Sequence, residues 1–423
     1  MEKKQGYSIT TYQFRLYQKH LERFVFTKNL YCQVTAFYLA LIFDKDFSGL
    51  SDYELQRSIE VLTQGEKKKG IEPEYPLPYG KVPLYFRRAA LREAAAAARS
   101  YISRAEKAGN GKVSIPKNLN TSPVYYKGMY RNLDLHNKQI ELKLFNGKEW
   151  KWDKYHFTMD GRELVEGVEL LSPTIKIDRK QVFLYFPVKQ QVDDVRTVKE
   201  RAGERYLAVS LQMGEVFAAC VAEQPESVKA EERIKRHIYM VRGGKKFYHR
   251  RRLLEDKLRL AVEAGKREGL PQTTETERIQ RIRRKLRYVI KEEAHRVSRE
   301  IVNFAEKENC RVIAIPDYQG NLGLNRKPYF QYSDYDWIGR RIIEYTAYKS
   351  FQKGIVLCRI PVKGISEKCS QCGAKIKRYN EGHKPGMGYL GGRLYLCPNG
   401  HKGNTAINIA ENIGIRYREL YWE

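Results

Sequence analysis

Little in this sequence suits a bilayer or an oxidising compartment. No run of eighteen uncharged apolar residues occurs, and the longest candidate, Val34–Phe43, is too short to span a membrane. The opening residues, MEKKQGYSIT, lack the apolar core of a secretory leader. The expectation is a cytoplasmic protein with no membrane partner. Cysteine is sparse, seven in 423 residues, and three of them crowd into 369–397. In a reducing compartment that clustering reads as metal binding and not as a disulfide framework. No internal repeat or low-complexity segment stands out.

Acidic residues are also in deficit. There are 78 Lys and Arg against 50 Asp and Glu, a formal charge of +28. An excess of that size repels itself unless a polyanion is near, and nucleic acid is the usual one. Thirty tyrosines interleaved with Arg and Lys add flat rings for stacking. The 42% hydrophobic content is ordinary and allows a packed interior, and the length suits two to four domains.

Period and composition divide the chain. Ser8–Leu16 alternates as a strand. Leu30–Phe43, Ser51–Thr63 and Tyr85–Ala108 read as helices, the last through AALREAAAAARS, a composition close to the best available for a helix. From 113 to 190 the period falls to two, with strands at Ile140–Leu144, Trp150–Trp152, Ile175–Ile177 and Val182–Phe186, and Asn146-Gly147 signals a hairpin. Beyond 205 come a strand pair over Tyr206–Val221 turning at Gln212–Gly214, a basic helical pair over 228–309 broken near Gly269–Thr276, a strand at Arg311–Ile315, a helix at Trp337–Lys353 and a strand at Ile355–Ile360. That alternation indicates an α/β domain with a mixed sheet.

From residue 288 onward the sequence becomes specific. Glu293–Val302 leads into Val312–Ile315. Tyr345–Lys349 and Lys353–Ile355 lead into Ile365–Gly373 with its Ser-x-x-Cys-x-x-Cys-Gly run, and Cys397, Gly400, His401 and Asn408–Ile413 close the series. In order and spacing this half resembles the transposon-encoded nuclease TnpB and the compact type V CRISPR effectors. The resemblance implies a multidomain α+β protein: a RuvC (RNase H-like) α/β domain with a zinc-finger insertion, preceded by a β-rich wedge domain interrupted by a helical recognition domain. The expected boundaries are 1–27 and 111–200 for the wedge, 28–110 for recognition, 201–365 and 404–423 for RuvC, and 366–403 for the zinc module.

Such a RuvC domain cuts DNA with two Mg²⁺ ions about 4 Å apart, and hard Mg²⁺ demands carboxylates from separated segments. The resemblance places them on the first strand, at the end of a later strand and at the start of the final helix. In this chain those positions are Ser210, Pro316 and Ala406. None is a carboxylate, so no catalytic magnesium and no cleavage are expected. Asp317 faces the other side of its strand, Glu215 lies beyond the first turn, and Glu411 is more than a helical turn from Ala406.

Cys369-x-x-Cys372 forms one half of a metal knuckle, and Cys397 with His401 supplies the other. The family pattern has a Cys where Gly400 stands. His401 completes a Cys₃His set suited to structural zinc. The intervening loop is basic through Lys375, Lys377, Arg378 and Lys384, and by resemblance the module contacts the target strand or the hybrid.

The expected function is RNA-guided, sequence-specific binding of double-stranded DNA without cleavage, with a guide RNA and target DNA as partners. A role in transcriptional regulation, or in recruiting transcription or transposition proteins, would follow. Tyr85, Arg87, Arg88, Tyr125 and Lys127 are candidates for flanking-motif or guide contacts. Arg250, Arg251, Arg252, Arg281, Arg283, Arg284, Lys285 and Arg287 are candidates for backbone contacts. The competing readings are an endonuclease using displaced acids and an RNA-binding protein with no DNA target.

Overall fold

The computed structural model describes residues 4–422, apart from 46, 48, 49, 67, 68, 109–118, 160–166, 213, 224–236, 269–275, 318–337, 384 and 386–391. The Gly-, Asn- and Tyr-rich loop after Asp317, Lys384 and most of the break at 269–276 therefore lie outside the described residues. Two units divide the chain: Ile9–Gln190, and Met1–Ser8 with Gln191–Glu423.

In the first unit, strand β1 (Gly6–Tyr17) precedes helices α1 (Leu21–Asp44), α2 (Asp52–Gln64) and α3 (Leu84–Ala108). Strands β2 (Tyr130–Asp134), β3 (Gln139–Phe145), β4 (Trp150–Met159), β5 (Glu169–Leu170), β6 (Thr174–Asp178) and β7 (Gln181–Val192) follow. They form a seven-stranded sheet in the order β2-β3-β4-β1-β7-β5, with β6 also on β7. The Asn146-Gly147 hairpin forms as its chemistry predicts: the Asn146 carboxamide oxygen accepts from the N–H groups of Lys148 and Glu149, both at 2.9 Å.

Alternation sends Phe14, Phe157 and Phe186 to one side of this sheet, where Phe14 stacks on Phe157 at 4.7 Å. Helix α3 turns Ala89, Ala90, Ala94, Ala95 and Ala98 inward, and this shallow face packs against α1. Helix α1 begins nine residues before the Leu30 start that the pattern suggested. Glu22, Arg23 and Lys28 obscure the period, yet Phe24 and Thr27 are buried in step with Leu30 and Tyr31. A Ser51–Glu54 capping box starts α2.

In the second unit, β8 (Tyr206–Leu211), β9 (Val216–Glu223) and β10 (His237–Arg242) run as an antiparallel meander. Helices α4 (Gly244–Arg267) and α5 (Glu277–Lys307) lead to β11 (Val312–Asp317), and α6 (Ile338–Gln352) leads to β12 (Val356–Pro361). Both β11 and β12 run parallel to β8, in the sheet order β10-β9-β8-β11-β12. A small three-stranded sheet, β13 (Lys377–Tyr379), β14 (Leu394–Leu396) and β15 (Lys402–Asn404), precedes α7 (Thr405–Tyr421).

The central strand β8 is buried along its whole length. Leu207, Val209 and Leu211 pack into one cluster with residues of α4, α5 and α6, whereas Tyr206 and Ala208 pack into another with Ile413 and Tyr417 of α7. Helix α7 lies close to the sheet. A Cβ on Gly414 would meet the Tyr206 hydroxyl at 3.0 Å and Glu223 Oε1 at 3.1 Å, so a larger residue there would have to push these side chains aside by a few tenths of an ångström. Arg418 sits beside the same two side chains, donating to Tyr206 Oη at 2.8 Å and to the Glu223 carboxylate. At the sheet's rim, Arg201 is 1% exposed and donates to the carbonyls of Asp194, Arg196 and Arg311.

Candidate nucleic-acid interface and metal centre

Two of the three positions expected to hold carboxylates, Ser210 and Ala406, are in direct contact. Asn404 caps α7 by accepting from Ala406 N at 2.8 Å, placing Ala406 in the first turn. The Ser210 hydroxyl, fully buried at the end of β8, donates to the Ala406 carbonyl at 2.7 Å. Strands β8 and β11 pair as Tyr206–Val312, Leu207–Ile313 and Ala208–Ala314. Continued by two residues, the same register sets Pro316 beside Ser210, on the α7 side of the sheet with Ala208 and Ala314. The recorded pairing ends at Ala314, two residues short of a proline that has no N–H to donate.

The nearby acids are committed elsewhere. By strand alternation Asp317 belongs to the opposite side, with Ile313 and Ile315. Glu215 pairs with Arg393 at 3.0 Å. The Glu411 carboxylate, 8% exposed, accepts from the Ser370 hydroxyl.

The ligand atoms of Cys369, Cys372, Cys397 and His401 all lie within 4.8 Å of one another. His401 Nδ1 is 3.6 Å from Cys369 Sγ and 3.4 Å from Cys397 Sγ, and the Sγ atoms of Cys372 and Cys397 are 3.6 Å apart. A tetrahedron with Zn–S of about 2.3 Å and Zn–N of about 2.0 Å has edges of roughly 3.5–3.8 Å. The group therefore fits a structural metal such as zinc. Cys372 is drawn down to about 6 by the Ala374 backbone N–H, with further help from His401, and so offers a thiolate at neutral pH. Burial pushes Cys369 the other way. Asn399 N donates to Cys397 Sγ at 3.3 Å. Gly400 has φ +81°, so the position where a family cysteine was expected is a left-handed turn residue here, and the chain passes through it to deliver His401.

The nucleic-acid candidates separate. Arg281, Arg283, Arg284, Lys285 and Arg287 are all exposed on α5, and Tyr288 among them is 62% exposed. On α4, Arg250 and Arg252 are exposed, Arg250 lying 3.7 Å from Glu292. Arg251 corrects the expectation: its turn of the helix points inward, and its buried Nε bonds to Glu255 at 2.7 Å. Tyr125 is a second correction. It is wholly buried and its hydroxyl donates to the Lys143 carbonyl at 2.9 Å, so its ring cannot reach a base.

Arg87 and Arg88 act as clips. Arg87 donates to Gln64 Oε1 at 2.7 Å, and Arg88 grips Glu60 through two bonds of 2.6 and 3.0 Å, tying α3 to α2. Tyr85 and Lys127 are exposed and adjacent, because a Cβ on Gly128 would touch the Tyr85 ring at 2.7 Å. Sequence reasoning missed Arg131, whose guanidinium lies 4.3 Å from the Trp152 ring centroid. The Arg131–Trp152 contact spans two strands, and no local spacing signals it.

The Aq_aa04 family profile matches residues 8–146. Over 121 residues the chain is 30% identical to the CRISPR-associated endodeoxyribonuclease Cas12f1 of Sulfoacidibacillus thermotolerans. That stretch is 29% of this chain, and the match spans about a quarter of the relative's length, 26%. Among solved structures, a chain of a Cas12f1–sgRNA–target DNA complex superposes with TM-score 0.55 at 12% identity, covering 93% of this chain and 81% of that one. The mini-RNA-guided endonuclease CRISPR-Cas_phi3 superposes with TM-score 0.57 at 9% identity, covering 97% and 92%. At such identities the superpositions establish fold. The local match to Cas12f1 and these superpositions show that the chain is similar in fold to compact type V CRISPR effectors.

Proposed function

We propose that the protein binds double-stranded DNA under the direction of a guide RNA and does not cut it. Its second unit is read as a RuvC-like domain, a reading supported by the sheet order β10-β9-β8-β11-β12 with α7 on the face opposite α4–α6. The observation that carries the proposal is the contact between Ser210 and Ala406; the β8–β11 register, extended two residues beyond its recorded end at Ala314, would bring Pro316 beside them. On the RuvC-like reading, two divalent ions would be clamped between this strand end and helix start, and the side chains that meet there are a hydroxyl and a methyl. A hydroxyl already donating to a carbonyl 2.7 Å away is a poor substitute for an anionic oxygen.

Binding has its own support. The fold resembles chains solved with a guide and target DNA, the formal charge is +28, and the cations of α5 are exposed along with Tyr288. Guide pairing would read the sequence while the protein reads hybrid shape and backbone. The zinc module, held by its four ligands, would present the exposed Lys375 and Lys377 to the same nucleic acid, whereas Arg378 on β13 donates to the Ser366 carbonyl. A stable R-loop occludes its site, which suits transcriptional control or the recruitment of transcription or transposition proteins.

The test is to purify the ribonucleoprotein, sequence the RNA it retains, and incubate the complex with a plasmid matching the variable end in Mg²⁺ or Mn²⁺. Gel retardation of the matched plasmid without nicking is expected. Nicks lost on Asp317→Ala or Glu411→Ala would establish an enzyme with displaced acids. Retained RNA that dictates no DNA site would establish an RNA-binding protein instead.

A further inference from the structure

The Asn-x-Ala-x-Asn stretch of α7 is unexplained by loss of the carboxylates. Asn408, Glu411 and Asn412 stand at i, i+3 and i+4 and project from one face of the helix. Each reaches the segment running into and through Cys369. Asn408 Oδ1 accepts from Ser370 N at 2.8 Å, and its Nδ2 donates to the Lys368 carbonyl at 2.8 Å. Asn412 Nδ2 donates to the carbonyls of Lys368 at 2.8 Å and Ile365 at 2.9 Å. Glu411 accepts from the Ser370 hydroxyl. The residues before and after Cys369 are thus fixed from the helix, by side chains that are not ligands. Asn408 is 1% exposed, so its amide has little access to water if these partners leave.

We infer that Asn408, Glu411 and Asn412 are positioning residues of the metal site: they hold Cys369 at its corner of the ligand set and couple ion loading to the seating of α7 on the sheet. The inference rests on the reading of the four ligands as a zinc site. Linkage makes the coupling reciprocal, so whatever the helix contributes to ion affinity the ion returns to the helix. Without an ion, nothing bridges the four ligand atoms that lie within 4.8 Å of one another. A knuckle that opens strips Asn408 and Glu411 of their partners. The first turns of α7 then loosen, and Ala406, which receives the Ser210 hydroxyl, lies in them.

The experiment uses full-length protein loaded with zinc alone. Zinc affinity is measured by chelator competition for the wild type, Asn408→Ala, Asn412→Ala and Glu411→Gln, and hydrogen exchange in α7 is followed with and without chelator. Supporting groups around metal ligands typically alter affinity by about 10- to 100-fold, and a loss in that range is expected for both Asn variants. A smaller loss is expected for Glu411→Gln, which retains an acceptor for Ser370. Chelation should speed exchange in α7 of the wild type. Asn412 is partly exposed, so its variant keeps the test open if Asn408→Ala fails to fold, with circular dichroism as the check. Unchanged affinity in Asn412→Ala together with unchanged α7 exchange on chelation overturns the inference and leaves the zinc reading intact. A wild-type protein that binds no zinc overturns both.

Discussion

Restoring carboxylates at Ser210, Pro316 and Ala406 offers a decisive perturbation. In Ser210→Asp alone, a donor becomes an anion facing the Ala406 carbonyl at a fully buried position. The lost hydrogen bond costs about 1 kcal/mol and the unpaired buried charge several more, for a total of roughly 3–5 kcal/mol. At about 2–4 °C per kcal/mol for a unit of this size, melting should fall by roughly 6–20 °C. The triple variant Ser210→Asp, Pro316→Glu, Ala406→Asp should be worse still without divalent ions. With Mg²⁺ at a hundredfold above its Kd, it should recover about 2.7 kcal/mol. Thermal melts with and without Mg²⁺ give the readout, and the wild type should not respond. If the triple variant also ignores Mg²⁺, the register argument placing Pro316 beside Ser210 is wrong. If the wild type gains stability from Mg²⁺ and nicks its target, the non-cutting proposal is lost.

Other expectations follow from single features. Replacing Arg281, Arg284 and Lys285 by Ala should weaken binding across all sequences and reduce the slope of log K against log salt by about two to three; an unchanged slope would remove α5 from the interface. Tyr125→Phe should cost about 1 kcal/mol of stability and leave nucleic-acid affinity alone, since the buried ring stays and the hydroxyl's bonds to the Lys143 carbonyl and Thr27 are lost. Tyr85→Ala should do the reverse, measured by melting and by gel shift. The Arg196 side chain, hydrogen-bonded to Asp194, holds that carboxyl down at about 2, against 3.8 unperturbed. Because the folded value is the lower one, this stabilisation is complete above the unperturbed value and disappears as pH falls through about 2. Stability, followed by melting, should therefore drop more steeply between pH 4 and 2 in the wild type than in Asp194→Asn, the difference being at most about 2 kcal/mol.

Much of this architecture was legible because local chemistry and tertiary packing agree. The Val182–Phe186 alternation, the Asn146-Gly147 turn and the alanine face of α3 all appear where the sequence places them. The ligand set was legible too, since a Cys-x-x-Cys and a Cys-x-x-x-His state their own spacing. Strand β10 was not. It lies in a stretch read as basic and helical, its pattern is mostly exposed, and its strand character comes from pairing with β9. The run Arg250-Arg251-Arg252 hides one inward residue among three alike, a distinction made by helical phase. Tyr125 sits beside exposed Lys127 in irregular chain, where no period separates a core ring from a surface one. The Ser210–Ala406 contact joins residues 196 apart and needs the folded topology to be seen.

The β13–β14–β15 sheet has an implication for how this protein can vary. Tyr379 and Leu394 are paired neighbours, so the excursion between them leaves and re-enters at one stapled point, with its base fixed by Cys369, Cys397 and the Asn side chains of α7. Lengthening a loop so anchored costs only about 0.6 kcal/mol per doubling. Insertions there can lengthen the excursion while Cys369, Cys372, Cys397 and His401 all stay in place, so this is a point where the chain can grow without disturbing the ligand set.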